Sequence, residues 1–384
     1  MKRFSIEISG EAIEDLRDRL ARTRWPDEVE GAGWDYGMSL PYLQELVEYW
    51  RTAFDWPKQE RLLNELPQFV VPIDGLDVHF VHVRGAGPKP FPLVITHGWP
   101  SSFAEMVKVI GPLADPGAHG ADPADAFDVV VPSLPGHGFS GRPTRCGPTR
   151  TDRLWRKLMT EVLGYPRFGA HGGDVGARVT SALGRFHGDV VAGIHIGSVD
   201  LEWPDPLPGE PEQSEAEREY LARVRRWEKE EGAYGEIQAT RPQTAAYGLN
   251  DSPAGLAAWI VEKFRAWSDC GGDLESRFTK DELLTNVTIY WLTGTIGSSM
   301  RRYFEVRHDL ERKPLKPGER IETPTGIAMF PGERDLLVPR EWAERCYNVR
   351  RWTDMPRGGH FPALEEPELL VEDLRAFFRE LRHE

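Results

Sequence analysis

The sequence predicts an α/β fold in which a mostly parallel sheet is flanked by helices, interrupted by a helical insertion and preceded by a helical segment. From Phe69 onward, short apolar runs rich in β-formers alternate with helical stretches, as in βαβ units. A long helical stretch then breaks this alternation, and the chain before Phe69 holds no alternating strand pattern. We therefore expect an N-terminal helical segment (1–68), a sheet core in two parts (69–202 and 321–384) and a helical cap (203–320).

Two amphipathic helices are expected in the N-terminal segment. In the first, over 9–24, Ser9 is a suitable N-cap and apolar residues recur at helical spacing. The second covers 42–54, in the string PYLQELVEYWRTAF. A loop rich in glycine and acidic residues separates them, so this segment is read as a helical preamble to the sheet.

The expected strands are short apolar runs bounded by turns and helices. Two β-rich runs surround Asp74-Gly75, a pair typical of a two-residue hairpin turn. Residues 203–225 begin with a Pro-rich segment and continue into a charged helix, and 368–381 form the last helix. The other strands are expected at 91–96, 128–133, 167–171, 191–197 and 326–331.

Composition excludes several classes of partner. The chain carries 47 Lys and Arg against 61 Asp and Glu, a formal charge of −14, which repels nucleic acids and anionic membrane surfaces. Its 3 cysteines are too few and too scattered for a disulfide scaffold or a zinc site and indicate a reducing compartment, so we expect a cytoplasmic protein. The opening MKRFSIEISG leads into no signal-peptide core, and no run of 18 apolar residues follows.

Tryptophan is the one unusual component. The chain has 13 Trp, a residue that packs in cores or lines apolar pockets. Trp259, Trp267 and Trp291 fall within the predicted cap. They suggest a pocket for a bulky apolar ligand between the cap and the sheet.

The string HGGDVG carries the strongest catalytic signal. Gly172-x-Asp174-x-Gly176 follows a predicted strand and precedes a predicted helix, which is the setting of the nucleophile turn in α/β hydrolases. Small flanking residues are needed because the turn is tight, and an aspartate stands where lipases carry serine. A glycine-rich turn with a capping Asp is the alternative, and the strand–turn–helix context disfavours it.

Two further turns complete the predicted site. The turn HGWPSS after the 91–96 strand sits where such enzymes place an oxyanion-binding N–H, so we assign the backbone N–H groups of Trp99 and Val175 to that role. A plain turn at Pro100 is the alternative. In RGGHF, His360 lies before the last helix, where the base of this fold follows nucleophile and acid in chain order.

The acid that orients His360 is expected in MFPGERDLLVP, which offers two candidates. Asp335 fits the general loop after Gly332, and Glu333 fits a narrower family pattern. Other histidines of the motif turns, His97, His137 and His171, are interpreted as structural hydrogen-bonding groups.

Several strings together resemble epoxide hydrolases of the microsomal and juvenile-hormone type. They are HGWP, HGGD, IQATRPQTAAYGLNDSPAGLAAWIVEKF, IYWLTGTI and RGGHF with LEEPELL. The resemblance implies the α/β-hydrolase fold, with Asp174 as nucleophile and Glu333 ahead of Asp335 as the acid. It also implies that Tyr234 and Tyr303 of the cap hold the epoxide oxygen. At Val175 the family often has Trp, so the pocket wall differs there.

The resemblance implies hydrolysis of an epoxide to a vicinal diol through a covalent aspartyl ester, which water activated by His360 then cleaves. It implies no cofactor and no metal; the partners are an apolar epoxide and water. Animal members carry a membrane anchor that this chain lacks, so it is similar to the soluble bacterial members; a homo-oligomer stays open. Two alternatives are a hydrolytic dehalogenase, which the Tyr pair and Val175 disfavour, and an inactive ligand-binding protein, which the presence of Asp174 and His360 disfavours.

Overall fold

A computed structural model of the protein describes residues 1–147, 149–199, 213–310, 313–316 and 318–382. Its strands are β1 (Lys2–Phe4), β2 (Gln68–Ile73), β3 (Leu76–Val83), β4 (Phe91–Thr96), β5 (Phe127–Pro132), β6 (Phe168–Gly172), β7 (Val191–Ile196), β8 (Ile321–Met329) and β9 (Tyr347–Asp354). Within the described chain they form one sheet of order β1-β2-β3-β5-β4-β6-β7-β8-β9. The strands from β5 to β9 in that order run parallel, and β1, β2 and β3 are antiparallel. The predicted α/β fold with a mostly parallel sheet is confirmed.

The central strands lie where the apolar runs predict them. In β4, Leu93, Val94 and Ile95 are fully buried, because helices cover both faces of a parallel sheet. Each such side chain contributes roughly 1.5–3 kcal/mol by leaving water. The predicted hairpin is also present: Asp74 and Gly75 both have positive φ (51° and 80°), as a two-residue turn matching the strand twist requires.

Two edge strands depart from the expectation. Strand β1 joins the sheet by pairing with β2, so the N-terminal segment is not wholly helical. Strand β9 was absent from the predicted set because its sequence, YNVRRWTD, has no apolar run; charged side chains are common on an edge strand. Strand β8 begins at Ile321, earlier than predicted, and its register with β9 shifts between Ile321 and Pro324 and again between Thr325 and Gly326.

The N-terminal helices pack against the cap. Ser9 caps the first helix by accepting a hydrogen bond from the Ala12 N–H, as its position predicts. The Tyr49 hydroxyl donates to Asp281 of the cap (2.9 Å). This segment therefore contacts the insertion through side chains of its second helix. The helices are α1 (Gly10–Ala21), α2 (Leu40–Thr52) and α3 (Trp56–Asn64).

The cap is a set of helices between β7 and β8 in the sequence. Capping boxes fix the starts of two of them, at Ser214 with Glu217 and at Thr279 with Glu282. The predicted Pro-rich segment and the predicted boundary at 202/203 lie outside the described residues, so the cap limits stay a prediction. The cap helices are α7 (Glu215–Glu230), α8 (Ala233–Thr240), α9 (Pro242–Leu249), α10 (Pro253–Trp267), α11 (Lys280–Thr293) and α12 (Ile296–Arg307).

The remaining helices belong to the sheet core. They are α4 (Val107–Ala114), α5 (Thr151–Lys157), α6 (Asp174–Phe186), α13 (Arg340–Cys346), α14 (Pro362–Glu365) and α15 (Pro367–Leu381). A π-helical turn continues α5 over Leu158–Val162, and a short 3₁₀ turn, Phe103–Met106, precedes α4. Helix α15 begins at Pro367, in agreement with the predicted final helix.

The topology gathers the predicted site at one edge of the sheet. Strands β4, β6, β7 and β8 are consecutive and parallel, so their carboxyl ends lie side by side. Trp99 follows β4, Asp174 follows β6 and Glu333 follows β8. His360 lies in the loop after β9, the next strand along. Residues far apart in sequence thus meet above the same sheet edge.

Candidate active site

Asp174 occupies a sharp turn between β6 and α6. Its φ is 49°, in the left-handed region that a non-glycine residue rarely adopts, so the turn holds its backbone under strain. A Cβ on Gly172 would lie 2.4 Å from the Gly176 carbonyl carbon, and one on Gly176 would lie 2.0 Å from the Thr96 oxygen. Both glycines are therefore required for the close approach of α6 to the sheet.

A backbone N–H already contacts the Asp174 carboxylate. The Trp99 N–H donates to Oδ1 of Asp174 at 2.8 Å. Val175 is the second residue of α6, where a backbone N–H has no acceptor within the helix. The Asp174 N–H donates to the Ser198 hydroxyl (3.1 Å), which fixes the turn from the end of β7. No motif in the sequence singled out Ser198, because a lone serine after a strand carries no signal.

His360 lies between two carboxylates. Its Nε2 is 3.7 Å from Oδ2 of Asp174, and its Nδ1 hydrogen-bonds Oε1 of Glu333. Asp335, the other candidate for the acid, pairs instead with Arg226 (2.6 Å) and is about one-third exposed. Glu333 is nearly buried beside His360. The structure thus brings Asp174, His360 and Glu333 together and places Asp335 elsewhere.

The surrounding charges set the protonation of His360. Burial by itself lowers the pKa of the imidazole. The carboxylates of Glu333, Asp174 and Glu105 outweigh burial and raise the pKa of His360 to about 9. His360 is therefore protonated at neutral pH.

The two predicted tyrosines come together above this site. Tyr234 on α8 and Tyr303 on α12 have ring centroids 6.0 Å apart. Trp99 stacks on Tyr234 (5.1 Å, planes 8° apart) and meets Tyr303 edge-on (6.0 Å). Burial, together with Tyr234 and the Asp174 charge, raises the pKa of Tyr303 well above its usual value. Its phenol therefore stays protonated and available as a hydrogen-bond donor.

One of the three cap tryptophans lines this site directly. The Trp267 ring lies 5.0 Å from those of both Tyr234 and His360, so it bridges the cap and the sheet. Trp291 instead stacks with the Arg19 guanidinium (5.7 Å) of α1, so its assignment to the pocket is wrong. Trp291 is partly buried near the C-terminal end of α11.

Lys263 is a cap residue that motif analysis did not select. Its ammonium lies 5.4 Å from the Tyr234 ring and 5.7 Å from the Trp267 ring, and it pairs with Glu231 (3.1 Å) and Glu262 (2.8 Å). A cation over an aromatic face adds roughly 0.5–2 kcal/mol of attraction. It helps to hold the Tyr234 ring in place.

The motif histidines other than His360 make structural hydrogen bonds. His97 donates from Nδ1 to the Gly98 carbonyl (2.9 Å) and accepts at Nε2 from the Leu134 N–H (3.1 Å). His171 hydrogen-bonds His195 (3.0 Å) beneath the site. Burial lowers the pKa of His97 to about 4 and that of His171 to about 3, so both are neutral. None of these groups reaches the Asp174 carboxylate by a hydrogen bond.

Among the described residues there is no cluster of three or more His, Cys, Asp or Glu able to hold a metal ion. The same part of the chain contains no helix long and apolar enough to cross a bilayer.

The class of protein follows from these features. The carboxylate of Asp174 lies on a strained turn between a parallel strand and a helix, next to a histidine–carboxylate pair and a backbone N–H donor. This arrangement is typical of an α/β hydrolase. Family models agree: "Epoxide hydrolase N terminus" matches residues 1–106 and "Alpha/beta hydrolase family" matches 93–373. Epoxide hydrolase 1 of Oryctolagus cuniculus is 39% identical over 97% of this chain and 88% of its own length.

Solved structures agree with the sequence relatives. The Aspergillus niger epoxide hydrolase superposes with a TM-score of 0.85 at 30% identity, covering 99% of this chain and 96% of that one. The juvenile hormone epoxide hydrolase of Bombyx mori gives 0.83 at 29% identity, covering 100% and 94%. The chain belongs to the epoxide hydrolase family, and it is an enzyme that hydrolyses epoxides.

Proposed function

We propose that the enzyme opens its epoxide through a covalent ester on Asp174, which His360 and water then hydrolyse. The observation that carries the proposal is that the two oxygens of the Asp174 carboxylate have different neighbours. Oδ1 is engaged by the Trp99 N–H, and Oδ2 lies toward His360. Oδ2 is therefore the oxygen left to attack, and Oδ1 is the carbonyl oxygen of the ester that results.

In the first half-reaction, Oδ2 of Asp174 bonds to one ring carbon and the bond from that carbon to the epoxide oxygen breaks. The departing oxygen would be an alkoxide, a poor leaving group in water. Tyr234 and Tyr303 hydrogen-bond that oxygen as its charge develops, and one phenol gives it a proton. Because the pKa of Tyr303 is raised, this phenol holds its proton until the alkoxide forms.

Ester formation also prepares the base. It removes the Asp174 charge, which is one of those that raise the pKa of His360. The imidazolium then gives up its proton, which restores the phenol, and His360 becomes a neutral base. Glu333 keeps the imidazole oriented through Nδ1, leaving Nε2 directed at the ester.

In the second half-reaction, His360 takes one proton from water while the water oxygen bonds to the Asp174 carboxyl carbon. The negative charge that develops on Oδ1 is stabilised by the N–H groups of Trp99 and Val175. Collapse breaks the bond to Oδ2, and His360 protonates the departing diol oxygen. The carboxylic acid left on Asp174 returns its proton to His360, so all groups regain their starting states.

The pocket walls favour an apolar epoxide. The rings of Trp99, Trp267, Tyr234 and Tyr303 form an aromatic cluster, and the Trp99 backbone N–H joins this cluster to Asp174. In the proposed mechanism the two phenols bind the epoxide oxygen, which suits a substrate with one reactive oxygen on an apolar body. The paired phenols suit an alkoxide, whereas a dehalogenase would present halide-binding donors.

The test is to trap the ester in a variant that forms it and cannot hydrolyse it. We expect His360→Gln, mixed with styrene oxide, to gain the mass of one epoxide per chain on the peptide that contains Asp174. Asp174→Ala should gain no mass and make no diol. An Asp174→Ala variant that still hydrolyses styrene oxide, or an adduct on another residue, would refute the proposal.

A further inference from the structure

A buried carboxyl group that the mechanism has not used lies beside the catalytic pair. Glu105 sits in the 3₁₀ turn Phe103–Met106 and is 8% exposed. Its Oε2 is hydrogen-bonded to the hydroxyl of Ser101, four residues earlier in the chain. The cap holds this segment from above, because the Tyr290 hydroxyl donates to the Ser101 carbonyl (2.8 Å). These two hydrogen bonds fix the position of Glu105. Burying a carboxyl group costs folding free energy, so a buried acid next to the catalytic residues calls for a function.

Glu105 and Asp174 both line one small cavity. The cavity has a volume of about 20 Å³, enough for one water molecule and too small for a substrate. Tyr234 and Tyr303, which we propose to hold the epoxide oxygen, do not line this cavity. Its polar lining comes from Ser101, Glu105, His171, Asp174 and His360.

We propose that Glu105 is a positioning residue that, together with His360, holds the hydrolytic water against the Asp174 ester. His360 Nε2 receives one proton of this water, as described for the proposed function on which the inference rests. The Glu105 carboxylate accepts a hydrogen bond from the other hydrogen and gains no proton. A water held at both hydrogens turns an oxygen lone pair toward the carboxyl carbon of Asp174.

The electrostatics of the cavity agree with this role. Burial raises the pKa of Glu105 to about 7, against the opposing effects of the Ser101 hydrogen bond and the His360 charge. The charge of Asp174 raises it further. Ester formation removes that charge, so the Glu105 carboxylate becomes easier to ionise at the moment when the water has to be held.

Glu105 acts only in the second half-reaction, which separates its role from a structural one. The probe is Glu105→Gln, which keeps the shape of the side chain and a hydrogen bond to Ser101. Rapid-quench mass spectrometry of the intact chain with styrene oxide measures ester formation and ester loss separately. We expect ester formation within about 3-fold of wild type and ester hydrolysis roughly 10- to 100-fold slower, so that the ester accumulates.

Two other variants keep the result decisive. Glu217→Gln changes another fully buried carboxylate, which pairs with Arg345 away from the site, and should leave both steps unchanged. If Glu105→Gln does not fold, Ser101→Ala, which frees the Glu105 carboxylate from its anchor, should slow hydrolysis alone.

The outcomes distinguish a failure of the role of Glu105 from a failure of the proposed ester mechanism. Glu105→Gln with wild-type ester hydrolysis, or with both steps slowed equally, overturns the role of Glu105, while an ester on His360→Gln still supports the proposed function. If Glu105→Gln does not fold and Ser101→Ala changes neither ester formation nor ester hydrolysis, the inference also fails. If no variant forms an ester on Asp174, the proposed function and this inference fail together.

Discussion

The pairing of Glu333 with His360 makes a prediction that stability measurements can check directly. In the folded protein the pKa of His360 is about 9, against about 6.5 in an unfolded chain. A pKa raised by folding stabilises the protein fully below about pH 6.5, and this contribution is lost as pH rises through 9. At 1.36 kcal/mol per pKa unit, the contribution is about 3 kcal/mol.

Glu333→Gln removes the main charge that sustains this raised pKa. Burial then offsets the remaining carboxylates, Asp174 and Glu105, and we expect the pKa of His360 to fall to about its unfolded value. The difference in unfolding free energy between wild type and Glu333→Gln should therefore be larger at pH 6 than at pH 10, by about 3 kcal/mol. Urea denaturation at the two pH values measures it.

Asp335→Asn is the matched control, because it removes a carboxylate two residues away that pairs with Arg226 at the surface. Exposed pairs contribute about 0–1 kcal/mol, so this variant should show little difference at either pH. In single turnovers, Glu333→Gln should hydrolyse its ester about 10²–10⁴-fold more slowly, with Asp335→Asn close to wild type. A stability difference for Glu333→Gln that is the same at pH 6 and pH 10 would refute a charged pair, and equal kinetic effects of the two variants would refute Glu333 as the acid.

Three more predictions concern the two half-reactions. Tyr303→Phe should slow ester formation about 10²–10³-fold in rapid-quench assays. Tyr290→Phe changes a buried tyrosine outside the pocket and should leave the rate of ester formation near wild type. A larger loss of rate in Tyr290→Phe than in Tyr303→Phe would contradict the role of Tyr303. Gly98→Ala places a Cβ 2.6 Å from Oδ1 of Asp174 and should lower kcat/KM at least about 100-fold, whereas Gly10→Ala, with no neighbour within 4 Å, should leave it unchanged. A fully active Gly98→Ala would mean that the reaction tolerates a displaced Asp174 carboxylate. Ester hydrolysis should rise with pH to a plateau with an apparent pKa below about 9, because the ester lacks the Asp174 charge; a rate that falls with pH would exclude neutral His360 as the base.

The part of the site that the sequence predicts is the part where a backbone constraint restricts the residue type. Gly172 and Gly176 flank Asp174 because the turn has no room for a Cβ at either position, and the sequence motif shows this restriction. The apolar runs of the central strands are equally legible, since burial on both faces requires them. The edge strand β9, with charged residues, has no such restriction and gave no signal.

The remaining site residues depend on tertiary contacts that no spacing reveals. Tyr234 and Tyr303 lie on different helices and were selected only through the family resemblance. The choice between Glu333 and Asp335 stayed open in the sequence, because two residues of one loop differ only in where their side chains point. Ser198 and Glu105 carry no motif, and their positions become visible only when the strand ends are brought together.

The central claim is that an oxygen atom of Asp174 enters the diol. The most direct measurement is a single turnover in ¹⁸O-water with enzyme in excess over styrene oxide, followed by mass spectrometry of the diol and of the peptide that contains Asp174. We predict an unlabelled diol in the first turnover, with one ¹⁸O on the carboxylate of Asp174. A diol labelled at once, with Asp174 unlabelled, would show direct attack by water and contradict the ester mechanism.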